Sequence, residues 1–314
     1  MKRWQIPADA EGLTAEEWIA EMLTDGDRKQ AAELLKDRGR LNAASVKPKE
    51  KLVKRDMLEI YTEDTPFAES SEIIYEDENL IVYNKEQDIS CYTAKGELSP
   101  GLYELAADHM RETGEFNINS YTLPYLCHGI ATNVGGIVLI AKDEILFRYV
   151  AEALAQRRIK RYYRCIVHGV PQYENFELHH KLFAKDKISR VQILEQSDKD
   201  GIPVYLRGKL LKTDGHLSLL EIDMVTDHPA QICAQLAYAK LPVLGDNIYG
   251  STRKNKKLAA LYPALWEYRI DFAVGKNNPL EYLDGTSLTA KPKMPYIKGL
   301  ERIITKRDLQ QLSI

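Results

Sequence analysis

The alternation of apolar and polar positions predicts strands and helices in succession along most of the chain. The uninterrupted apolar run at 137–140 is typical of a fully buried strand. A half-buried strand is predicted at 217–225, where apolar and polar residues alternate over the second half. Between them, with Asp143 positioned as an N-cap, the apolar residues that recur at helical spacing are Ile145, Leu146, Tyr149, Val150, Ala153 and Leu154.

The first sixty residues predict a smaller, separate unit. Apolar side chains spaced for one amphipathic helix occur from Trp18 to Leu23, and a second group occurs from Ala31 to Leu35. The acidic, proline-containing stretch at 63–66 and the serine pair at 70–71 indicate a linker. We therefore predict a module at 1–62, a linker at 63–71, a main domain at 72–290 and a basic tail at 291–314. A length of 314 residues suits one large core with a satellite.

Two segments carry the candidate chemistry. Residues 127–142 read C-H-G-I-A-T-N-V-G-G-I-V-L-I-A-K, with His128 in front of a glycine pair. Residues 226–233 read T-D-H-P-A-Q-I-C directly after a predicted strand, and Asp227 is placed where it could cap the next helix. The two segments resemble the motifs H-R-L-D-x-x-[TS]-[SG]-G-[LI]-x-[LV]-x-A-K and G-R-T-H-Q-I-R of RluA-type RNA pseudouridine synthases.

The resemblance implies an enzyme family whose chemistry depends on one carboxylate. In that family a lone aspartate serves as nucleophile or general base while uridine is detached from ribose C1′, turned and rejoined through carbon. The matching position here is Ala131, which has no ionisable group, and the arginine that pairs with the family's aspartate is Cys233. Gly129 replaces the arginine that fills the gap left by the flipped base. The sequence therefore predicts the body of an RNA-modifying enzyme without its nucleophile.

Further segments extend the resemblance over roughly residues 70 to 275. They include the strand pair at 73–85, the P-V-L-G-D-N-I-Y-G segment at 242–250 and the closing strand at 265–272. The segment 157–163 is close to the family's K-x-Y strand, and we match Tyr162 to the tyrosine that stacks on the target base. The pocket residues implied by these matches are His128, Gly129, Ala131, Asn133, Tyr162, Gln231 and Cys233.

The implied fold is α+β, with a mixed, mainly antiparallel sheet, flanking helices and a central cleft that brings Ala131, Tyr162 and Cys233 together. The N-terminal unit resembles an S4-type RNA-binding module, although Ala43 and Arg55 occupy positions where that module has glycines in tight turns. A generic αα-β unit with no RNA role is the alternative interpretation of this unit.

Charge and composition qualify the prediction of RNA binding. The formal net charge is −3, whereas nucleic-acid binders usually carry a basic excess. Local clusters offset this balance, and we predict that Arg157, Arg158, Lys160 and Arg161 contact RNA. The four cysteines lack metal-binding spacing, and no apolar run is long enough for a membrane span. We therefore expect a reduced, cytoplasmic chain with no metal, no cofactor and no membrane partner.

Three hypotheses follow. The first is a catalytically inert homologue that still binds structured RNA, such as ribosomal or transfer RNA. The second is an active pseudouridine synthase in which another residue replaces the aspartate. The third is a protein-interaction module that keeps the fold and has lost RNA affinity. Product analysis separates the second hypothesis from the others, and the salt dependence of RNA binding separates the first from the third.

Overall fold

A computed structural model describes residues 2–41, 44–54, 56–60, 71–92, 101–117, 119–184, 190–258 and 260–292. Two sheets lie in these ranges. The predicted linker, apart from Ser71, and nearly all of the predicted basic tail lie outside them, as do Ala43 and Arg55. The predicted domain boundaries stay predictions. No helix in the described ranges combines the length and the apolar character that crossing a membrane requires.

The N-terminal sheet has the strand order β1-β4-β2-β3 and packs with two helices. Its elements are β1 (Lys2–Gln5), α1 (Ala15–Leu23), α2 (Arg28–Arg38), β2 (Gly39–Leu41), β3 (Ala44–Ser45) and β4 (Met57–Ile60). Thr14 caps α1 in a capping box with Glu17, and Asp27 accepts two backbone N–H groups at the start of α2. Both predicted helices are present. The S4-like character and RNA role of this unit remain predictions.

The main sheet follows the order β11-β10-β12-β13-β9-β14-β8-β6-β5, with β15 beside β14 and β7 beside β8. Its strands are β5 (Glu72–Glu76), β6 (Leu80–Lys85), β7 (Thr122–Leu126), β8 (Gly135–Asp143), β9 (Ile159–His168), β10 (Asn175–Phe183), β11 (Gln192–Leu194), β12 (Ile202–Thr213), β13 (Leu217–Met224), β14 (Leu265–Phe272) and β15 (Ser287–Thr289). Within the described sheet β14 pairs with β8 in parallel and the other neighbours are antiparallel. The α+β class and the mixed, mainly antiparallel sheet are confirmed.

Helices flank this sheet, as predicted. They are α3 (Leu102–Glu112), α4 (Glu144–Ala155), α5 (Gln231–Tyr238) and α6 (Thr252–Lys257). The cap at Asp143 is confirmed, because its carboxylate accepts the Leu146 N–H at 2.8 Å. Side chains of β8 are buried on both faces of the sheet, because one face packs against α4 and the other packs against α3. This double burial explains the continuous apolar run at 137–140.

Candidate functional site

The glycine pair of the first motif allows β8 to lie directly against β14. A Cβ at Gly135 would sit 2.2 Å from the Trp266 ring, and one at Gly136 would sit 2.3 Å from the Glu267 carbonyl oxygen. Gly136 also has a φ of 127°, a conformation that side chains other than glycine disfavour. The glycines are therefore required for the close packing of β8 against β14.

The turn that precedes β8 has a defined conformation and carries Ala131 on its surface. The Val134 N–H donates to the Ala131 carbonyl at 2.9 Å, and the Asp88 N–H donates to the Thr132 carbonyl at 2.8 Å. The Thr132 carbonyl also accepts from the Lys85 Nζ at 3.3 Å. Ala131 itself is exposed. Ala131 therefore presents a methyl group to solvent.

Lys85 is a buried amine that fixes this turn to the end of β6. Its Nζ donates to the carbonyls of Ile89 at 2.7 Å and Glu86 at 2.9 Å, in addition to Thr132. Burial lowers the pKa of Lys85 to about 7, because the charged form loses hydration that the carbonyls only partly replace. Lys85, at the end of β6, therefore holds the turn in place.

A buried cluster of charged and phenolic groups lies beneath the turn. Arg161 on β9 is 5% exposed and Glu267 on β14 is 0% exposed. The guanidinium donates from Nε and Nη2 to the two carboxylate oxygens of Glu267 at 2.8 and 2.7 Å. It also donates to the Tyr163 hydroxyl at 2.7 Å and to the carboxylate of Asp227. Burial raises the pKa of Glu267 even with Arg161 beside it. The bidentate geometry makes this a tight ion pair.

His128 borders the same cluster. Its Nε2 accepts the Leu139 N–H at 3.2 Å and lies 4.0 Å from the Glu267 Oε1. Burial, with Arg161 nearby, lowers the pKa of His128 well below its ordinary value, so the ring is neutral. Because Nε2 accepts, the proton resides on Nδ1, which is buried and has no hydrogen-bond partner among the described residues. The histidine therefore packs as a neutral ring against β8.

The prediction that Tyr162 lies in the pocket is wrong. Successive side chains of a strand point to opposite faces of the sheet. Tyr163 packs with Val134 and Cys233 and donates to Glu267, whereas the Tyr162 ring lies 4.0 Å beneath the Arg269 guanidinium on the other face. The tyrosine that adjoins the motif turn is therefore Tyr163, one residue later than predicted.

The predicted RNA-contacting arginines occupy different environments. The prediction that Arg161 contacts RNA is wrong, because its guanidinium is buried in the cluster with Glu267. Arg157 donates to the Asp223 carboxylate at 2.6 Å, and Arg158 donates to the Val274 carbonyl at 2.9 Å. Lys160 is exposed. An RNA role for Arg157, Arg158 and Lys160 stays a prediction.

The second motif positions α5 and brings Asp227 to the cluster. Gln231 is buried; its amide donates to the Tyr205 carbonyl at 3.1 Å, and its carbonyl accepts from Thr226 at 3.0 Å. The prediction that Asp227 caps this helix is wrong. The N-cap is Ala230, with a φ of 61° and no side-chain cap, because the Asp227 carboxylate pairs with Arg161 instead.

The structure brings the two motif segments to one apolar cluster. Val134 and Cys233 belong to it, and Ile130 packs against it, so residues on both sides of Ala131 share this cluster with Cys233. Burial raises the pKa of the Cys233 thiol well above its ordinary value. Gly129 is exposed, and Asn133 contributes its carbonyl, which accepts from Gln87 at 3.2 Å. That Ala131 and Cys233 face one cavity stays a prediction.

Three residues of the site, Tyr163, Asp227 and Glu267, were not among the predicted pocket residues. Glu267 had a sequence signal, because it is an acidic residue within the apolar beginning of the closing strand. Tyr163 had one as well, because it stands two and four residues before the apolar Cys165 and Val167, the spacing of one strand face. No His, Cys, Asp or Glu cluster within the described residues could hold a metal ion, and the four cysteines are free.

The sheet, the glycine-dependent turn and the helix that follows β13 are those of the pseudouridine synthase fold. Residues 79–238 match the RNA pseudouridylate synthase family, and the chain belongs to that family, with relatives of the RluA type. It is 27% identical over 208 residues to ribosomal large subunit pseudouridine synthase D of Borreliella burgdorferi, covering 66% of this chain and 62% of the relative. The chain thus spans under two thirds of that protein.

Other comparisons agree with this family. An uncharacterized RNA pseudouridine synthase of Bacillus subtilis, YlyB, is 23% identical over 243 residues, covering 75% of this chain and 78% of the relative. Among solved structures, human RNA pseudouridylate synthase domain containing 1 matches with a TM-score of 0.56 at 14% identity. That match covers 78% of this chain and 96% of the human chain. At this identity the structural match establishes the fold.

Proposed function

We propose that this chain is an RNA-binding homologue of RluA-type pseudouridine synthases that does not isomerise uridine. The observation that carries the proposal is the exposed methyl group of Ala131 on a well-held turn. Proton transfer or nucleophilic attack requires an ionisable group within hydrogen-bond reach of the substrate. Neither motif segment supplies a carboxylate at the matching position.

The carboxylates that do approach the site have other partners. Glu267 is buried and accepts two N–H bonds from Arg161 and one O–H bond from Tyr163. Glu267 would have to lose these hydrogen bonds before it could accept a proton from a substrate. Because Tyr163 and Arg161 also bond to each other, the cluster fills the space beneath the turn with a closed polar network.

A second candidate function rests on Asp227. Its side chain is 57% exposed and its carboxylate pairs with Arg161, which restores a carboxylate–guanidinium pair on different elements from those of the family motif. In this hypothesis Asp227 replaces the missing aspartate, and the chain is an active synthase. The carboxylate is accessible to a substrate, which Glu267 is not.

The relatives suggest the RNA. Several of them are named ribosomal large subunit pseudouridine synthase D or C, so we propose structured ribosomal RNA as the ligand, with transfer RNA as the alternative. The first experiment incubates the purified chain with unmodified ribosomal RNA and quantifies pseudouridine by mass spectrometry. We expect no product above the protein-free control. Product that disappears with Asp227→Asn would establish the second candidate instead.

The second experiment measures RNA affinity as a function of salt concentration. Each phosphate contact contributes roughly 0.7–0.9 to the log–log slope, so a few contacts give a slope of a few units. Binding without salt dependence, or no binding to ribosomal or transfer RNA, would contradict the RNA role. The hypothesis of a protein-interaction module would then be the one left.

A further inference from the structure

The face of the main sheet opposite α5 carries a stack of arginine and tyrosine side chains on β9 and β14. The Arg269 guanidinium lies 4.0 Å from the ring centroid of Tyr162 and 5.4 Å from that of Tyr268. The Arg164 guanidinium lies 4.3 Å from the Tyr268 ring. We call Tyr162, Arg164, Tyr268 and Arg269 the arginine–tyrosine ladder. Each ring is therefore covered by a guanidinium plane, as in cation–π stacking.

The same face continues across three more strands as a shallow groove. Tyr162 is opposite Asp223 on β13, Asp223 is opposite Arg207 on β12, and Arg207 is opposite Glu177 on β10. The groove lies over β10, β12 and β13 and has a volume of about 360 Å³, and its charged lining residues are Glu177, Arg207, Lys209, Glu221 and Asp223. Neighbouring strands are about 4.8 Å apart, so the face from β10 to β14 spans roughly 19 Å. It is long enough for several nucleotides of an extended strand.

Aromatic surface is present at the far side of this face too. Tyr205 is two positions before Arg207 on β12 and therefore points to the same side of the sheet. Its ring makes an edge contact with His179 on β10, with centroids 5.0 Å apart. Stacking surfaces thus border the groove on β12 and on β9.

The charge of this face favours a polyanion. Among the described residues, the ladder, the groove lining and their neighbours Arg157, Lys160 and Asp271 contain six cations and four carboxylates. The cations are Arg157, Lys160, Arg164, Arg207, Lys209 and Arg269, and the carboxylates are Glu177, Glu221, Asp223 and Asp271. The whole chain carries a net charge of −3, so this face is more basic than the chain average.

We propose that this outer face binds single-stranded RNA. Bases stack on the guanidinium planes of Arg164 and Arg269, and phosphates contact Lys160, Arg207 and Lys209. Unpaired bases expose the flat surfaces that aromatic and guanidinium groups recognise, whereas duplex bases do not. The inference rests on the proposed RNA binding and adds a site on the opposite side of the sheet from the motif turn.

The test compares two charge-matched double variants by fluorescence anisotropy with a labelled single-stranded RNA. Arg164→Gln with Arg269→Gln removes the stacking planes of the ladder. Arg253→Gln with Lys254→Gln removes the same charge from exposed positions of α6. Loss of one stacked base should weaken binding by roughly fivefold to 150-fold in the ladder variant. The α6 variant should bind like the unmodified chain.

The outcomes separate this inference from the function it rests on. If the unmodified chain binds no RNA, both fail. If it binds RNA with salt dependence and the ladder variant binds equally well, the outer-face site is wrong and the proposed function stands. Equal affinity for duplex RNA or heparin would show simple charge attraction and would also overturn the site.

A second measurement covers the case in which the ladder variant does not fold. RNA containing 4-thiouridine is cross-linked to the unmodified chain, and the attached peptides are identified by mass spectrometry. We expect cross-links in β9, β12 and β14. Cross-links confined to the turn at 129–134 and to α5 would contradict the proposal.

Discussion

Replacing Arg161 with methionine tests whether this residue is part of the interior or of an RNA-binding surface. The substitution keeps an apolar stem and removes both N–H bonds to Glu267, whose side chain is fully buried. Removing one partner of a buried ion pair costs about 3–5 kcal/mol, because the remaining charge is left in an environment of low polarity. A typical domain has only about 5–15 kcal/mol of stability, so the loss is easily measured.

Glu267→Met should cost less than Arg161→Met. Arg161 would keep the carboxylate of Asp227, which is partly hydrated, so we expect a loss of about 2 kcal/mol. In the double variant neither charge is left unpaired, and the loss should fall well below the sum of the two single losses. The expected coupling is about 2–3 kcal/mol.

The assay is urea unfolding followed by far-ultraviolet circular dichroism, with the midpoint compared at an unchanged slope. The matched control is the pair Arg148–Glu144 on α4, whose side chains are 74% and 43% exposed. Its corresponding variants should change stability by less than about 1 kcal/mol. Additive effects of the Arg161 and Glu267 substitutions, or a loss no larger than the control's, would refute the buried pair.

Three more predictions follow from buried or strained groups. Cys233→Arg should lower the free energy of urea unfolding by about 3 kcal/mol or more, because Cys233 is buried. Ala131→Asp should change it by no more than about 0.5 kcal/mol, because Ala131 is exposed, and the reverse order would contradict these positions. The folded chain holds the pKa of Lys85 near 7, so above that pH the unfolded chain binds more protons than the folded chain. The free energy of unfolding should therefore increase from pH 7 to 8. If the increase is the same in Lys85→Met, another group causes it. Arg157 has a φ of 56°, so Arg157→Gly should relieve backbone strain but lose the hydrogen bond to Asp223, and the two effects should leave the melting temperature nearly unchanged. A large decrease would show that the bond to Asp223 outweighs the strain.

Periodic patterns allowed the elements around the site to be predicted. The apolar run at 137–140 and the spacing that follows Asp143 correspond to β8 and α4, because burial and capping are local properties of the chain. The glycine pair could be recognised as part of a motif. The reason for it, the approach of Trp266, depends on a strand more than a hundred residues away and is not visible in the sequence.

The errors in the site have two physical causes. Tyr162 and Tyr163 differ by one position, and a shift of one residue moves a side chain to the opposite face of a sheet. Arg161 lies within a basic run, which normally faces solvent, but its partner Glu267 comes from a distant strand and allows burial. The predicted cap at Asp227 was wrong because its carboxylate pairs with Arg161, which comes from a strand distant in the sequence.

Release of the hydrogen at uracil C5 reports uridine isomerisation itself, the reaction that we propose this chain does not catalyse. Joining the base to ribose through C5 must displace that hydrogen, so RNA labelled with tritium at uracil C5 reports each turnover. The measurement uses the chain in excess over RNA, so that even slow single turnovers are detected. We expect release equal to the protein-free control, because Ala131 has no proton to exchange and Glu267 is held by Arg161. Tritium release above that control would contradict it, and loss of the release in Asp227→Asn would identify the residue responsible.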